Sequence, residues 1–256
     1  MLDHPGRPPT VDVWVVAPVE ANLGPWLLHL DAAERARARS LSAHQAPRFV
    51  QARALLRGVV GDHLHCTPRT VPLRVECPDC GGAHGPVLVD TGTRTGTGTG
   101  TDRAAGPFVS ITRAGSLMAV AVPDAGPVGV DIESHAAVSA APLTRIGLPG
   151  RELAAHERRG RRGARALARS WVSAEAVLKA AGTGLRTDPA HLEIRSRRGR
   201  RTARTPDGSR ALLADLALGP HLAGAVALVL PGRRPRFTVR LHDGGEVLAR
   251  LQEDRG

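Results

Sequence analysis

Apolar and polar positions fall in short blocks along this chain, and the blocks predict an alternation of strands and helices. Residues 11–17 (VDVWVVA) are rich in β-branched side chains and predict a first strand with Trp14 in the core. In 30–40 (LDAAERARARS), Asp31 stands as an N-cap with Glu34 three residues later, so a helix starts there. Pro47 opens a second helix, PRFVQARALLRGVVGDHL, with Phe49, Leu56, Val60 and Leu64 on one apolar stripe. Its Arg48, Arg53 and Arg57 are expected on a solvated face. Residues 71–80 read as a strand entering a turn. Residues 108–122 (FVSITRAGSLMAVAV) read as strand, turn, strand, with Ser110, Thr112 and Arg113 at the turn. Residues 128–133 (VGVDIE) are a buried strand ending in acid, and 211–218 and 223–230 are further strands. Residues 195–204 (RSRRGRRTAR) form a basic hairpin tip, and the order of the charged tail is left open.

The strongest helical pattern is 170–185 (SWVSAEAVLKAAGTGL), stopped by Gly182 and Gly184. Trp171, Glu175 and Lys179 recur every fourth residue and share a face, with Glu175 and Lys179 as an acid-before-base pair. Lys179 is the only lysine; the other 34 of the 35 basic side chains are Arg. It is either a chance member of a surface ion pair or a site requiring a compact ammonium. Asp131 and Glu133 are two apart on a strand and face the same way. They are either a solvated strand end or oxygen ligands for a hard divalent cation, Mg²⁺ or Mn²⁺.

Composition narrows the classes. The 256 residues carry a net charge of +11 but only 2% aromatics. Nucleic-acid modules stack bases on aromatic side chains, so small phosphates or an acidic protein partner fit this charge better. Three cysteines make no disulfide framework, and no leader or membrane-length apolar run is visible, which together read as cytoplasmic. Cys77 and Cys80, with His84 nearby, are either part of a zinc site or a tight turn. The Thr-Gly repeat over 90–106 is expected to be a mobile loop, and the Arg-rich run over 151–163 a solvated face.

VGVDIE followed by WVSAEAVLKAAGTGL resembles the paired motifs of the 4′-phosphopantetheinyl transferases of the surfactin-synthetase-activating type. RFVQARALLRG, CPDCGGAHG and SITRAG resemble further elements of that family. The resemblance implies an α+β fold, a pseudo-twofold pair of similar α/β halves. The first half would cover 1–123 and the second 124–235, with a tail over 236–256. It implies a monomer that moves the 4′-phosphopantetheine arm of coenzyme A, the co-substrate, to a serine of an acyl or peptidyl carrier protein, releasing adenosine 3′,5′-bisphosphate. Nucleic acid and membrane are not expected partners. Asp131, Glu133 and Glu175 would be the ligands of Mg²⁺ or Mn²⁺. Glu175 and Lys179 would be catalytic. Lys179, Arg53, Thr112 and Arg113 would contact coenzyme A, and Arg35 and Arg37 are weaker candidates for its phosphates. Arg158, Arg159, Arg161 and Arg162 would steer an acidic carrier protein. The chain departs from the family where Ala174 replaces a lysine and Arg113 a histidine. A catalytically degenerate homologue that binds carrier protein or coenzyme A is the alternative.

Overall fold

The computed structural model describes residues 7–77, 79–82, 85–90, 107–114, 117–141, 160–232 and 236–254. His84, Gly115, the Thr-Gly repeat over 91–106, and Arg158 and Arg159 lie outside them. The chain divides into two compact units. The first comprises Val13–Val122 with Leu241–Gly256, the second Met1–Asp12 with Pro123–Arg240.

The first unit contains helices α1 (Gly24–Leu28), α2 (Ala32–Ser40) and α3 (Gln45–Leu64) and a hairpin of β2 (Leu73–Val75) with β3 (Val87–Val89). Its sheet is built from β1 (Thr10–Val16), β4 (Ser110–Ala114), β5 (Leu117–Pro123) and β11 (Thr238–Asp243), in the order β11-β1-β5-β4. The chain division falls inside β1 and β11. Asp31 caps α2 as its sequence predicts: its carboxylate accepts the Glu34 amide at 2.8 Å, and Glu34 accepts the Asp31 amide at 3.2 Å. Helix α3 starts two residues before Pro47, which the first turn tolerates because its N–H has no helical partner.

Three expectations about this unit are corrected. Helix α3 is buried around most of its girth rather than on one stripe, and Arg57 is 1% exposed rather than solvated. The cause is the charge network beside it. The Arg57 guanidinium donates to Glu34, to Asp31 and to the carbonyls of Pro68, Arg69 and Val71. Each of its three nitrogens thereby donates to an oxygen, which is what a buried charge requires. Ser110, Thr112 and Arg113 lie within β4, paired to β5, rather than at its turn.

The tail, left open by sequence, supplies β11 and helix α6, Gly244–Glu253. Val247, Leu248 and Leu251 are buried in the same core as α3. Gly58 of α3 admits this contact, since a Cβ there would stand 2.7 Å from Val247 Cγ1. The Trp26 indole donates to the Leu248 carbonyl at 2.8 Å, tying α1 to α6.

The second unit is an antiparallel five-stranded sheet of order β6-β10-β9-β8-β7 with a long helix, α5, packed on it. The strands are β6 (Val128–Ser134), β7 (Ile194–Arg197), β8 (Arg200–Arg204), β9 (Arg210–Asp215) and β10 (Leu222–Val229). Helix α5 spans Gly160–Ala181, and the short α4 (His135–Ala140) is capped by Ser134. Residues 195–204 form the β7–β8 hairpin as expected, turning at Arg198 and Gly199 with φ of 51° and 72°. In β6 the residues from Val128 to Ile132 are all buried; the strand pairs with β10, and the face of Gly129 meets α5.

Gly129 allows that approach. A Cβ there would lie 1.9 Å from the Ala176 carbonyl and 2.6 Å from the Ala180 amide. Backbone cannot give way as a side chain can, so Gly129→Ala should cost at or above the ~3 kcal/mol upper end for overpacking. A denaturant midpoint within experimental error of wild type would show that α5 does not sit so close to β6. Among the described residues, no helix is long and apolar enough to cross a membrane.

Candidate active site

Helix α5 begins ten residues before Ser170 and ends where its sequence predicts. Gly182 adopts φ of 72°, and the Thr183 amide reaches back to the Leu178 carbonyl at 3.1 Å, closing the last turn. Glu175, in its C-terminal third, is 8% exposed. Lys179 lies in its last turn, where the helix dipole favours a cation.

The expected Glu175–Lys179 pair gives way to a stronger one. The Lys179 ammonium donates to Asp131 Oδ1 at 2.7 Å and to the Val130 carbonyl at 3.2 Å. Asp131, in β6, is 4% exposed and paired in register with Ala225. A carboxylate withdrawn from water needs a counter-charge in contact, whereas an exposed i,i+4 pair is worth only ~0.3–0.5 kcal/mol.

The structure brings Glu133 and Glu175 into the field of this ion pair. Burial pushes the Glu133 carboxyl up to about 7; Asp131 and Glu175 add to the rise and Lys179 opposes it. Burial also raises Glu175, with Lys179 opposing and Asp131 adding to the shift. Glu175 Oε1 is buried with no hydrogen-bond partner. Three oxygen acids short of positive charge have the donor chemistry that a hard divalent cation takes. Among the described residues, no three acidic, His or Cys side chains stand close enough to hold an ion as they are. Asp131 is engaged by Lys179 instead.

The pH consequence follows from the direction of the Glu133 shift. A carboxyl whose folded value of about 7 lies above its ordinary value of 4.5 contributes stability that is full below the lower value and lost as pH rises through the higher one. With divalent ions chelated, the protein should lose stability between about pH 4.5 and 7, and Glu133→Gln should flatten that loss and melt higher than wild type at about pH 8. Thermal melts across that range test this, and an unaltered slope in the variant would reject the assignment.

Arg53, Thr112 and Arg113 belong to the first unit. A cavity of about 560 Å³ there is lined by Arg37, Arg48, Arg53 and Arg113 together with Glu34 and Phe49. The Arg53 guanidinium lies over the Phe49 ring, 5.5 Å from its centroid, and 3.7 Å from Glu34 Oε1. Its Nη1 is buried with no hydrogen-bond partner. Burial lowers the Arg53 pKa, partly offset by Glu34, with Arg113 and Arg57 adding to the fall. Desolvation, then Arg37, lowers Arg113. Four guanidinium groups sharing one cavity need anions, and the resident carboxylates supply too few.

Arg37 and Arg113 reach this cavity, but Arg35 is turned to the Leu30 carbonyl. Thr112 follows the alternation of β4 and is buried at 6% exposure, away from the cavity lining. Arg48, expected on a solvated face, lines this cavity instead; the helical period of α3 carries no signal for that position. Cys77 and Cys80 sit on the turn between β2 and β3, where the Gly82 amide donates to Cys80 Sγ at 3.4 Å.

Residues 127–226 match the family described as the 4′-phosphopantetheinyl transferase superfamily. That segment contains Asp131, Glu133, Glu175 and Lys179, and it supports a transferase of the phosphopantetheinyl kind. No curated protein matches the chain.

Proposed function

We propose that this protein transfers the 4′-phosphopantetheine arm of coenzyme A to a serine of an acyl or peptidyl carrier protein. The observation that carries this reading is the packing of Asp131, Glu133, Glu175 and Lys179 on one strand and one helix inside the matched segment.

The reaction joins the carrier serine oxygen to the phosphorus that bears pantetheine and breaks that phosphorus from the bisphosphate leaving group. Glu175, buried and raised in proton affinity, takes the serine proton. Lys179 neutralises charge on the departing phosphate, a task suited to a compact ammonium. Asp131, Glu133 and Glu175 would hold Mg²⁺ or Mn²⁺, which when bound neutralises the pyrophosphate. Arg53 and Arg113, with Arg37 and Arg48 beside them, meet the phosphates of coenzyme A in their cavity. Thr112 is assigned to coenzyme A by resemblance alone. The pseudo-twofold likeness of the halves belongs to the same reading, since each unit carries one main sheet of four or five strands and one long helix. So do a monomeric state and a cytoplasmic setting.

The alternative of a binding-only homologue draws on Ala174, which stands where the family carries lysine. It is 4% exposed, within the buried face of α5. Incubating an apo carrier protein with this protein, coenzyme A and Mg²⁺, and reading the intact mass, decides between the two. A gain of one phosphopantetheine arm is expected; no gain across acyl and peptidyl carriers, with coenzyme A still bound, favours the alternative. Arg53→Ala should raise KM for coenzyme A by about 10–100-fold, the loss of a hydrogen bond to a charged group. An unchanged KM would remove Arg53 from the site.

A further inference from the structure

Resting on the metal reading above, we infer that Lys179 is the site's resident cation in the metal-free protein, holding Asp131 in place of the divalent ion and giving it up when that ion binds. The ammonium is in contact with Asp131 Oδ1 at 2.7 Å, and a second bond to the Val130 carbonyl at 3.2 Å fixes it over the strand. Asp131 is 4% exposed and the Lys179 side chain 27% exposed, so the carboxylate is the buried partner and the ammonium the one able to move outward.

This arrangement accounts for two observations. The carboxylates of Asp131, Glu133 and Glu175 interact electrostatically but are not gathered into an ion-holding group. A cation already engages the central one through Oδ1. Lys179 also has a long, flexible stem, the property that lets one side chain serve two partners in turn. An arginine in its place would fork onto the carboxylate through two parallel bonds and leave it less readily. That gives a reason for the chain's single lysine at this position among 34 arginines.

The consequence is competition. Lys179 shields a buried acid from an unpaired state before the ion arrives, and it lowers the site's apparent affinity for that ion. Once displaced, the ammonium is available to an anionic group of the substrate. Binding of the ion and release of Lys179 are then two sides of one equilibrium, each promoting the other.

The test uses the full chain without coenzyme A. Mn²⁺ affinity is measured by the loss of the free-ion electron paramagnetic signal for wild type, Lys179→Met, Lys179→Arg and Asp131→Asn. Lys179→Met, which keeps length and removes charge, should bind Mn²⁺ at least about tenfold more tightly than wild type, and Lys179→Arg no more tightly. Its metal-free melting temperature should fall, and saturating Mn²⁺ should raise it by more than in wild type. Because the chain has one lysine, ¹⁵N-lysine labelling reports Nζ as a single resonance. Mg²⁺ should shift it and speed its proton exchange. Wild type that binds Mn²⁺ while the Lys179 resonance stays put and Lys179→Met binds no better would overturn the exchange but spare the metal site. Wild type that binds Mn²⁺ no better than Asp131→Asn would remove the metal reading and this inference with it.

Discussion

Glu175→Gln should slow phosphopantetheine transfer by about 10²–10⁴-fold, the usual contribution of a positioned general base, with little change in KM for coenzyme A. The substitution keeps the side chain's volume and its place in α5, so the core formed by Val172, Ala176 and Val177 is undisturbed. It removes the ability to accept a proton and, with it, the negative charge that Glu175 would offer the divalent ion. Burial already opposes the ionised form of Glu175, and Oε1 has no hydrogen-bond partner. The variant should therefore fold at least as stably as wild type in chelator. That separates this prediction from a simple loss of fold. Initial rates from intact-mass measurements, taken with a thermal melt, provide the check. A variant that melts normally and retains more than about a tenth of the wild-type rate would assign the base elsewhere.

The second large effect is on stability. Arg57→Met should destabilise the protein by about 3–5 kcal/mol, the typical cost of breaking a buried ion pair from one side. Arg57 is 1% exposed and Glu34 7%, so deleting the guanidinium leaves a buried carboxylate without its main partner. It also strands the carbonyls of Pro68, Arg69 and Val71, which lie 3.0–3.2 Å from Nη1. Arg57→Met combined with Glu34→Gln should recover part of the loss, because the worst penalty is the uncompensated charge rather than the missing contact. Chemical denaturation of the two variants measures this. If the double variant is no more stable than Arg57→Met, the carbonyl bonds rather than the ion pair hold this corner. Glu34 also faces Arg53 across 3.7 Å, so the single variant should weaken the arginine-lined cavity as well as the fold.

Local chemistry made several elements legible. The capping box of Asp31 and Glu34 starts α2, and the glycine at 182 ends α5, because both depend on side chains and dihedrals within a few residues. The alternation of Asp131 and Glu133 follows from the strand period alone. The β7–β8 turn at Arg198 and Gly199 has the same local origin. The pairing of VGVDIE with the Trp171–Lys179 helix was legible only by resemblance, and the family match over 127–226 covers that pair.

What neighbours do in space was not legible. Nothing in the period of α3 distinguishes Arg57, sunk among carboxylates and carbonyls, from Arg48 on the cavity wall. The order of the tail was left open by its sequence because α6 packs against partners far along the chain: the indole of Trp26 and the notch at Gly58. Glu175 and Lys179 are helical neighbours by spacing, yet Lys179 turns to Asp131, 48 residues away in sequence. Sequence by itself determined which side chains are available and where each local element begins or ends, since those are short-range matters of hydrogen bonding and dihedral preference. Only the tertiary structure decided which charges are buried together. A buried carboxylate takes whichever cation reaches it, and that depends on how α5 packs across β6 at Gly129, a contact that no local pattern encodes.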